Sequence, residues 1–290
     1  MDISLALGGG GAKGNSHIGV IRRLEKEGFR IRAVAGTSFG GIIAALYAFG
    51  KTPDQIEEIF SKVDQSRLYG HASGDGPSLL GLAGAAKLFD EAFGAATFND
   101  LRLPCALTGV DLKSAREVIL TEGSLCDAVL ATIALPGIFP PRRIQDWELV
   151  DGGTLDPVPV SVARALAPGL PVVAVVLTAP VSEPARAFEV NLPYLPNAIA
   201  RRITRMRTAQ AFDIFLQAVD ICNRMMAELR LEKENPEVVI RPALSHIQLL
   251  DKVDVHEVAR FGEQAVEAVL PDLRRVTAWP ARLARSFGKR

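Results

Sequence analysis

Residues 31–49, IRAVAGTSFGGIIAALYAF, decide the fold. Ile31–Ala35 is a short apolar run, Gly36-Thr37-Ser38-Phe39-Gly40-Gly41 is a glycine-rich turn, and Ile42–Phe49 repeats apolar residues as a buried helix does. Strand, turn and helix follow one another without a linker. The same unit stands upstream: Ile3–Leu7 is apolar, Gly8–Gly11 is a turn, and Ser16–Glu27 carries Ile18, Ile21 and Leu24 at helical spacing.

Downstream, Thr52-Pro53-Asp54 opens a helix with Ile56, Ile59, Phe60 and Val63 on one face, the proline sitting in its first turn. Residues 66–98 mix Gly and Ala with Leu79, Leu80, Leu82, Leu88, Phe89 and Phe93, and read as short helices joined by turns, a candidate lid. Short strands are expected at 105–110, 117–121, 148–150 and 172–177, a long helical stretch from about Pro196 to Leu231, a strand at 238–241 and a last helix near 255–270. Strands alternating with helices imply an α/β fold with a mostly parallel sheet. One domain over 1–290 is expected, with a motif-bearing core at about 3–165, a helical part at about 181–275 and a basic tail at 276–290.

Thirty-three basic residues balance thirty-three acidic ones, so no global field draws the chain to nucleic acid. Cys105, Cys126 and Cys222 are odd in number and set among apolar residues, as buried thiols in a reducing compartment are. The five residues before the glycine run are too few for a signal peptide, and the apolar stretches 39–49 and 171–181 are far shorter than the roughly 20 residues that span a bilayer. A cytoplasmic protein, at most peripheral to a membrane, is the expectation. Arg201, Arg202, Arg205 and Arg207 interleave with Ile199, Ile203 and Met206, and Trp279, Leu283 and Phe287 stand among Arg282, Arg285, Lys289 and Arg290; each segment fits either an interfacial helix or a solvated basic face.

Gly36-Thr37-Ser38-Phe39-Gly40 matches G-x-S-x-G, in which a sharp strand-to-helix turn exposes a nucleophilic serine. Gly9-Gly10-Gly11-Ala12-Lys13-Gly14 satisfies the dinucleotide fingerprint, but the second strand ends in Gly36-Thr37-Ser38 where a ribose-binding acid would stand. Bare backbone amides before a helix serve equally to hold an oxyanion, with Lys13 adding charge or bracing the loop. The base for Ser38 has two candidates. Asp151 ends the run Trp147–Val150 at an Asp-Gly-Gly turn, where burial would raise its pKa; alternatively Ser38, Asp151 and His246 or His256 reproduce the chain order of an α/β-hydrolase triad. His17, beside the glycine loop, reads as a packing or loop-orienting residue, and His71 falls in the lid segment.

Together the glycine loop 9–14, the elbow 36–40 and Asp151-Gly152-Gly153 resemble the patatin-like phospholipase family, as do the flanks His17–Val20, Leu135–Pro141 and Pro157-Val158-Pro159. The resemblance implies a three-layer α/β/α sandwich and a Ser38–Asp151 dyad acting on phospholipids or other lipid acyl esters. It also implies an oxyanion hole of Gly9, Gly10 and Gly11 supported by Lys13 and Gly14, with no metal and no cofactor. Asp156 stands where Asn is expected and Thr132 where Ser is usual, departures that bear on substrate fit. The competing functions are an esterase or acyltransferase with a Ser-His-Asp triad, and a non-catalytic nucleotide-binding module.

Overall fold

The computed structural model describes residues 1–73, 75–183 and 207–278. Its centre is an eight-stranded sheet of β1 (Asp2–Leu7), β2 (Arg30–Gly36), β3 (Cys105–Asp111), β4 (Arg116–Leu120), β5 (Arg142–Ile144), β6 (Trp147–Asp151), β7 (Val172–Val175) and β8 (Val238–Ile240). The order is β5-β6-β3-β2-β1-β7-β8, with β4 paired to β3.

Alternation along the strands creates two unlike faces. Ile3, Leu5, Leu7 and Val34 join one buried cluster, which holds the apolar sides of α1 (Ser16–Lys26), α2 (Phe39–Ala48), α3 (Pro53–Lys62), α4 (Ala83–Phe93), α5 (Leu125–Thr132) and α8 (Val255–Thr277). On the other face Ala174, Ala6, Ala35 and Ala106 lie side by side across β7, β1, β2 and β3. A row of methyl groups leaves room for helix backbone to come close. There α6 (Val160–Leu166) packs so near that Ser4 Oγ donates to Ala163 O at 2.6 Å, and Ala227 and Leu231 of α7 (Arg207–Glu234) complete the layer. The three-layer α/β/α sandwich is as expected.

The mostly parallel sheet carries an antiparallel corner that places the site. β1, β2, β3, β7 and β8 run parallel, whereas β4 and β6 oppose β3, and β5 opposes β6. One edge of β3 is taken by β4. The other is shared end to end: β2 covers it as far as Gly36 opposite Leu107, and β6 takes over with Asp151 opposite Gly109. Two strands running in opposite senses therefore end face to face at Ser38 and Asp151.

Several elements differ from expectation. Helices α5 and α6 and strand β5 carry no strong pattern in the sequence; β5 has only three residues, none of them fully buried. The last helix continues beyond residue 270 with Pro271 inside it, because Leu273 and Thr277 are buried and hold the extra turns. Between residues 66 and 98 there is one regular helix, α4, with loop before it. Helix α3 starts where expected: Thr52 Oγ1 accepts the Gln55 amide and Gln55 Oε1 accepts the Thr52 amide. Residues 199, 201–203, 205 and 206 and the tail residues 279–290, read above as interfacial segments, lie outside the described residues. No described helix is long and apolar enough to cross a membrane.

Candidate active site

Ser38 sits between β2 and α2 with φ 55° and ψ −130°, a conformation that costs a non-glycine residue of the order of 1–3 kcal/mol. The surroundings hold it there. A methyl group on Gly40 would stand 2.3 Å from the Leu7 carbonyl oxygen, so only glycine lets the turn tuck against β1. The Ser38 amide donates to Thr132 Oγ1 at 3.0 Å, and the Thr37 hydroxyl donates to the Asp156 carbonyl at 2.9 Å. Thr37 has one hydroxyl proton, so the 2.7 Å contact between Thr37 Oγ1 and Thr108 Oγ1 is donated by Thr108. Thr132 and Asp156 thus each hydrogen-bond to the elbow, and neither is among the residues that line the cleft.

Ser38 Oγ donates to Asp151 Oδ2 at 2.6 Å, and the other oxygen, Oδ1, accepts the Gly153 amide at 2.8 Å. Asp151 is buried, and burial lifts its pKa from 3.8 to about 6 against the opposing effect of these two donors. A carboxylate with that pKa is a stronger base than an exposed one and is still ionised at neutral pH.

The glycine loop passes so close that a Cβ on Gly9 would lie 3.0 Å from Ser38 Cβ. Its amides divide into two groups. Gly8 donates to Val175 O, Gly9 to Pro157 O at 3.0 Å, and Ala12 to Leu249 O at 2.9 Å. Among the described residues none accepts from Gly10 or Gly11, whose amides belong to the opening of a short 3-10 turn, Gly11–Asn15. Gly9, expected as an oxyanion donor, is therefore committed to holding the loop, and the available pair is Gly10 and Gly11. At Gly11, φ is +57° and an added Cβ would meet Leu249 O at 2.1 Å.

Both support residues of the loop have a place. Gly14 is buried against the Phe39 ring, where a Cβ would sit 2.2 Å from Cδ1, and Lys13 is half-buried in the 3-10 turn, outside the cleft lining. His17 Nε2 lies 2.8 Å from Gly8 O in full burial, which pushes its pKa down to about 4. A neutral imidazole donating from Nε2 locks the loop, as the loop-orienting reading required. The remaining histidines are elsewhere: His71 reaches Ser78 O, His246 packs on Phe261, and His256 Nδ1 is 2.7 Å from Glu57. No imidazole bonds to Ser38 or Asp151 or lines the cleft.

Ser38 and Asp151 open into a cleft of about 960 Å³ counting its mouth. Its walls are apolar, Phe39, Ile42, Phe60 and Phe139 among them; the segment read as a lid supplies Leu68, Tyr69, Leu82, Ala85, Leu88 and Phe89. Among the described residues Asp151 and Asp251 are the charged members of the lining, with no Lys or Arg beside them. No group of three or more His, Cys, Asp or Glu among the described residues is arranged to hold a metal ion.

A family model described as patatin-like phospholipase matches residues 5–164, more than half of the chain. An uncharacterised NTE family protein of Mycobacterium tuberculosis is 31% identical over 217 residues, covering 73% of this chain and 58% of the relative. The lysophospholipase NTE1 of Yarrowia lipolytica is 34% identical over 180 residues, covering 56% of this chain and 12% of the relative. The chain thus spans less than two thirds of the length of either. Among solved structures, VipD from Legionella pneumophila shares the fold, with a TM-score of 0.55 at 14% identity over 93% of this chain and 66% of that one. The extent of the family match and the mycobacterial relative agree with the motifs: the chain belongs to the patatin-like phospholipase family.

Proposed function

We propose that the chain is a serine hydrolase of lipid acyl esters, of phospholipase A or lysophospholipase type, working through a Ser38–Asp151 dyad. The observation that carries this is the 2.6 Å bond from Ser38 Oγ to a buried carboxylate at the end of an apolar cleft. Asp151 takes the hydroxyl proton as Oγ attacks the acyl carbonyl, and the Gly10 and Gly11 amides face the oxygen that becomes negative. Collapse of the tetrahedral intermediate breaks the ester bond; the leaving alkoxide takes the proton from Asp151, and the acyl group stays on Ser38. Water then gives its proton to Asp151 and attacks the acyl-enzyme, and the returning proton regenerates Ser38 as the fatty acid leaves.

A cleft whose described lining is apolar suits the acyl chain, leaving the polar head at the mouth. The triad reading lacks an imidazole within reach, and the nucleotide reading lacks a ribose-binding acid at the end of β2. A bilayer-held substrate adds peripheral membrane contact to the proposal, read by flotation with phospholipid vesicles.

The test is kcat/KM on a short acyl ester as a function of pH. An ionised base is required, so the rate should fall as pH drops through about 6 and should vanish in Ser38→Ala. Turnover by Ser38→Ala at the wild-type rate would refute the assignment.

A further inference from the structure

Behind the elbow lies a second buried acid that the reaction does not use. Asp156 is fully buried, and neither of its carboxylate oxygens has a hydrogen-bond partner among the described residues. Glu117 of β4 faces it, and its Oε1 is also buried without a partner. Two ionised carboxylates would offer each other only acceptors, so three orphaned acceptor oxygens facing one another call for a proton between the two groups. The cation that faces the group among the described residues is Arg230 of α7, and it is already divided: Nη1 binds Glu234 at 2.8 Å, Nη2 reaches Glu117 Oε2 at 3.4 Å, and Nε donates to Leu155 O at 3.2 Å. Three carboxyl groups, Asp156, Glu117 and Glu234, therefore press on one guanidinium. Asp151, on the same turn, points away to Ser38.

The backbone of this turn holds both halves of the site. Asp156 O receives the Thr37 hydroxyl beside the nucleophile, and Pro157 O receives the Gly9 amide of the oxyanion loop. We propose that Asp156 is held as the neutral acid, donating its proton to Glu117, and that this pair, anchored on Arg230, is a positioning device that keeps the 155–157 turn bracing the elbow and the oxyanion loop. Burial and the facing Glu117 push the Asp156 pKa up to about 8, so the proton is lost to solvent on the alkaline side of neutrality. Repulsion among the ionised carboxylates then loosens the turn. Asparagine at 156 supplies an N–H in place of the labile proton, and glutamine at 117 supplies one from the other side.

This inference rests on the proposed function for its activity readout and stands apart from it in a second one. In wild type, kcat/KM on a short acyl ester should fall about tenfold from pH 7 to pH 9, in kcat more than in KM. Asp156→Asn and Glu117→Gln should each abolish that alkaline limb, while Asp156→Leu, which offers no donor, should lower kcat at every pH. A limb of unchanged midpoint in Asp156→Asn, or in Glu117→Gln if the first variant does not fold, overturns the proposal. Urea denaturation in the inactive Ser38→Ala background needs no turnover. An acid whose pKa is raised by folding stabilises most below its unfolded value and loses that contribution as pH rises through the folded one, so the midpoint should drop between pH 7 and 9. Adding Asp156→Asn should flatten the drop; the same slope with and without Asp156 refutes the inference even if Ser38 proves to be the nucleophile.

Discussion

Replacing Asp151 by Asn should stabilise the fold while it removes the proposed base. The wild-type carboxyl ionises at about 6 in the folded chain against 3.8 for a free aspartate, so folding favours its protonated form. The associated stability is fully present below pH 3.8 and is lost as pH rises through 6; a displacement of that size corresponds to about 3 kcal/mol. Asn has nearly the same shape, does not titrate, and its carbonyl oxygen can still accept from Gly153 or Ser38. Asp151→Asn should therefore match wild type near pH 4 and exceed it by roughly 3 kcal/mol at pH 8, a gap readable from urea midpoints at the two pH values. Because the Asp156 contribution is common to both proteins, it cancels in the comparison. Turnover should fall by about 10²–10⁴. A stability difference independent of pH, or an Asn variant less stable at pH 8, would refute the idea that a buried carboxylate is kept here at the expense of stability.

Three further outcomes follow from the geometry. Thr132→Val removes the acceptor of the Ser38 amide at unchanged side-chain volume and should cost about 1–3 kcal/mol in thermal or urea unfolding, with kcat lowered and KM little changed. Gly11→Ala sets a Cβ against Leu249 O at 2.1 Å and would displace the proposed oxyanion donor, so kcat should drop by roughly 10²–10³ in steady-state assays. His246→Ala and His256→Ala should keep wild-type turnover, since their partners are Phe261 and Glu57; loss of activity in either would restore the triad reading.

The parts of the site that depend on local backbone were legible in the sequence, because a glycine-flanked serine between a strand and an apolar helix has few other conformations. Asp151 was legible as an acid on an exposed-looking turn, but not its distance from Ser38. That distance depends on β6 running against β3 and replacing β2 on the same edge, and strand direction leaves no trace in hydrophobic periodicity. A signal for part of this corner was available: only residues 112–115 separate β3 from β4, too few for the crossover that a parallel pair requires. The three glycines of the loop are equivalent as letters. They became distinct because Pro157, nearly 150 residues downstream, takes the Gly9 amide and leaves Gly10 and Gly11 available. Thr132 and Asp156 belong to the same class of residue: each stands outside the three motifs, yet a hydroxyl from one and a carbonyl from the other fix the elbow. His17 was readable in role because it follows the loop by one helical turn, although its acceptor, the Gly8 carbonyl, emerged only from the fold.

Covalent labelling tests the central claim most directly. Treatment of the folded chain with an alkyl fluorophosphonate, followed by peptide mass analysis, should give one phosphonylated serine, Ser38, with the rate of labelling falling below pH 6 and sharply reduced in Asp151→Asn. Modification of a different residue, or labelling of Ser38 at an undiminished rate when Asp151 is replaced, would contradict the pairing of this hydroxyl with this carboxylate.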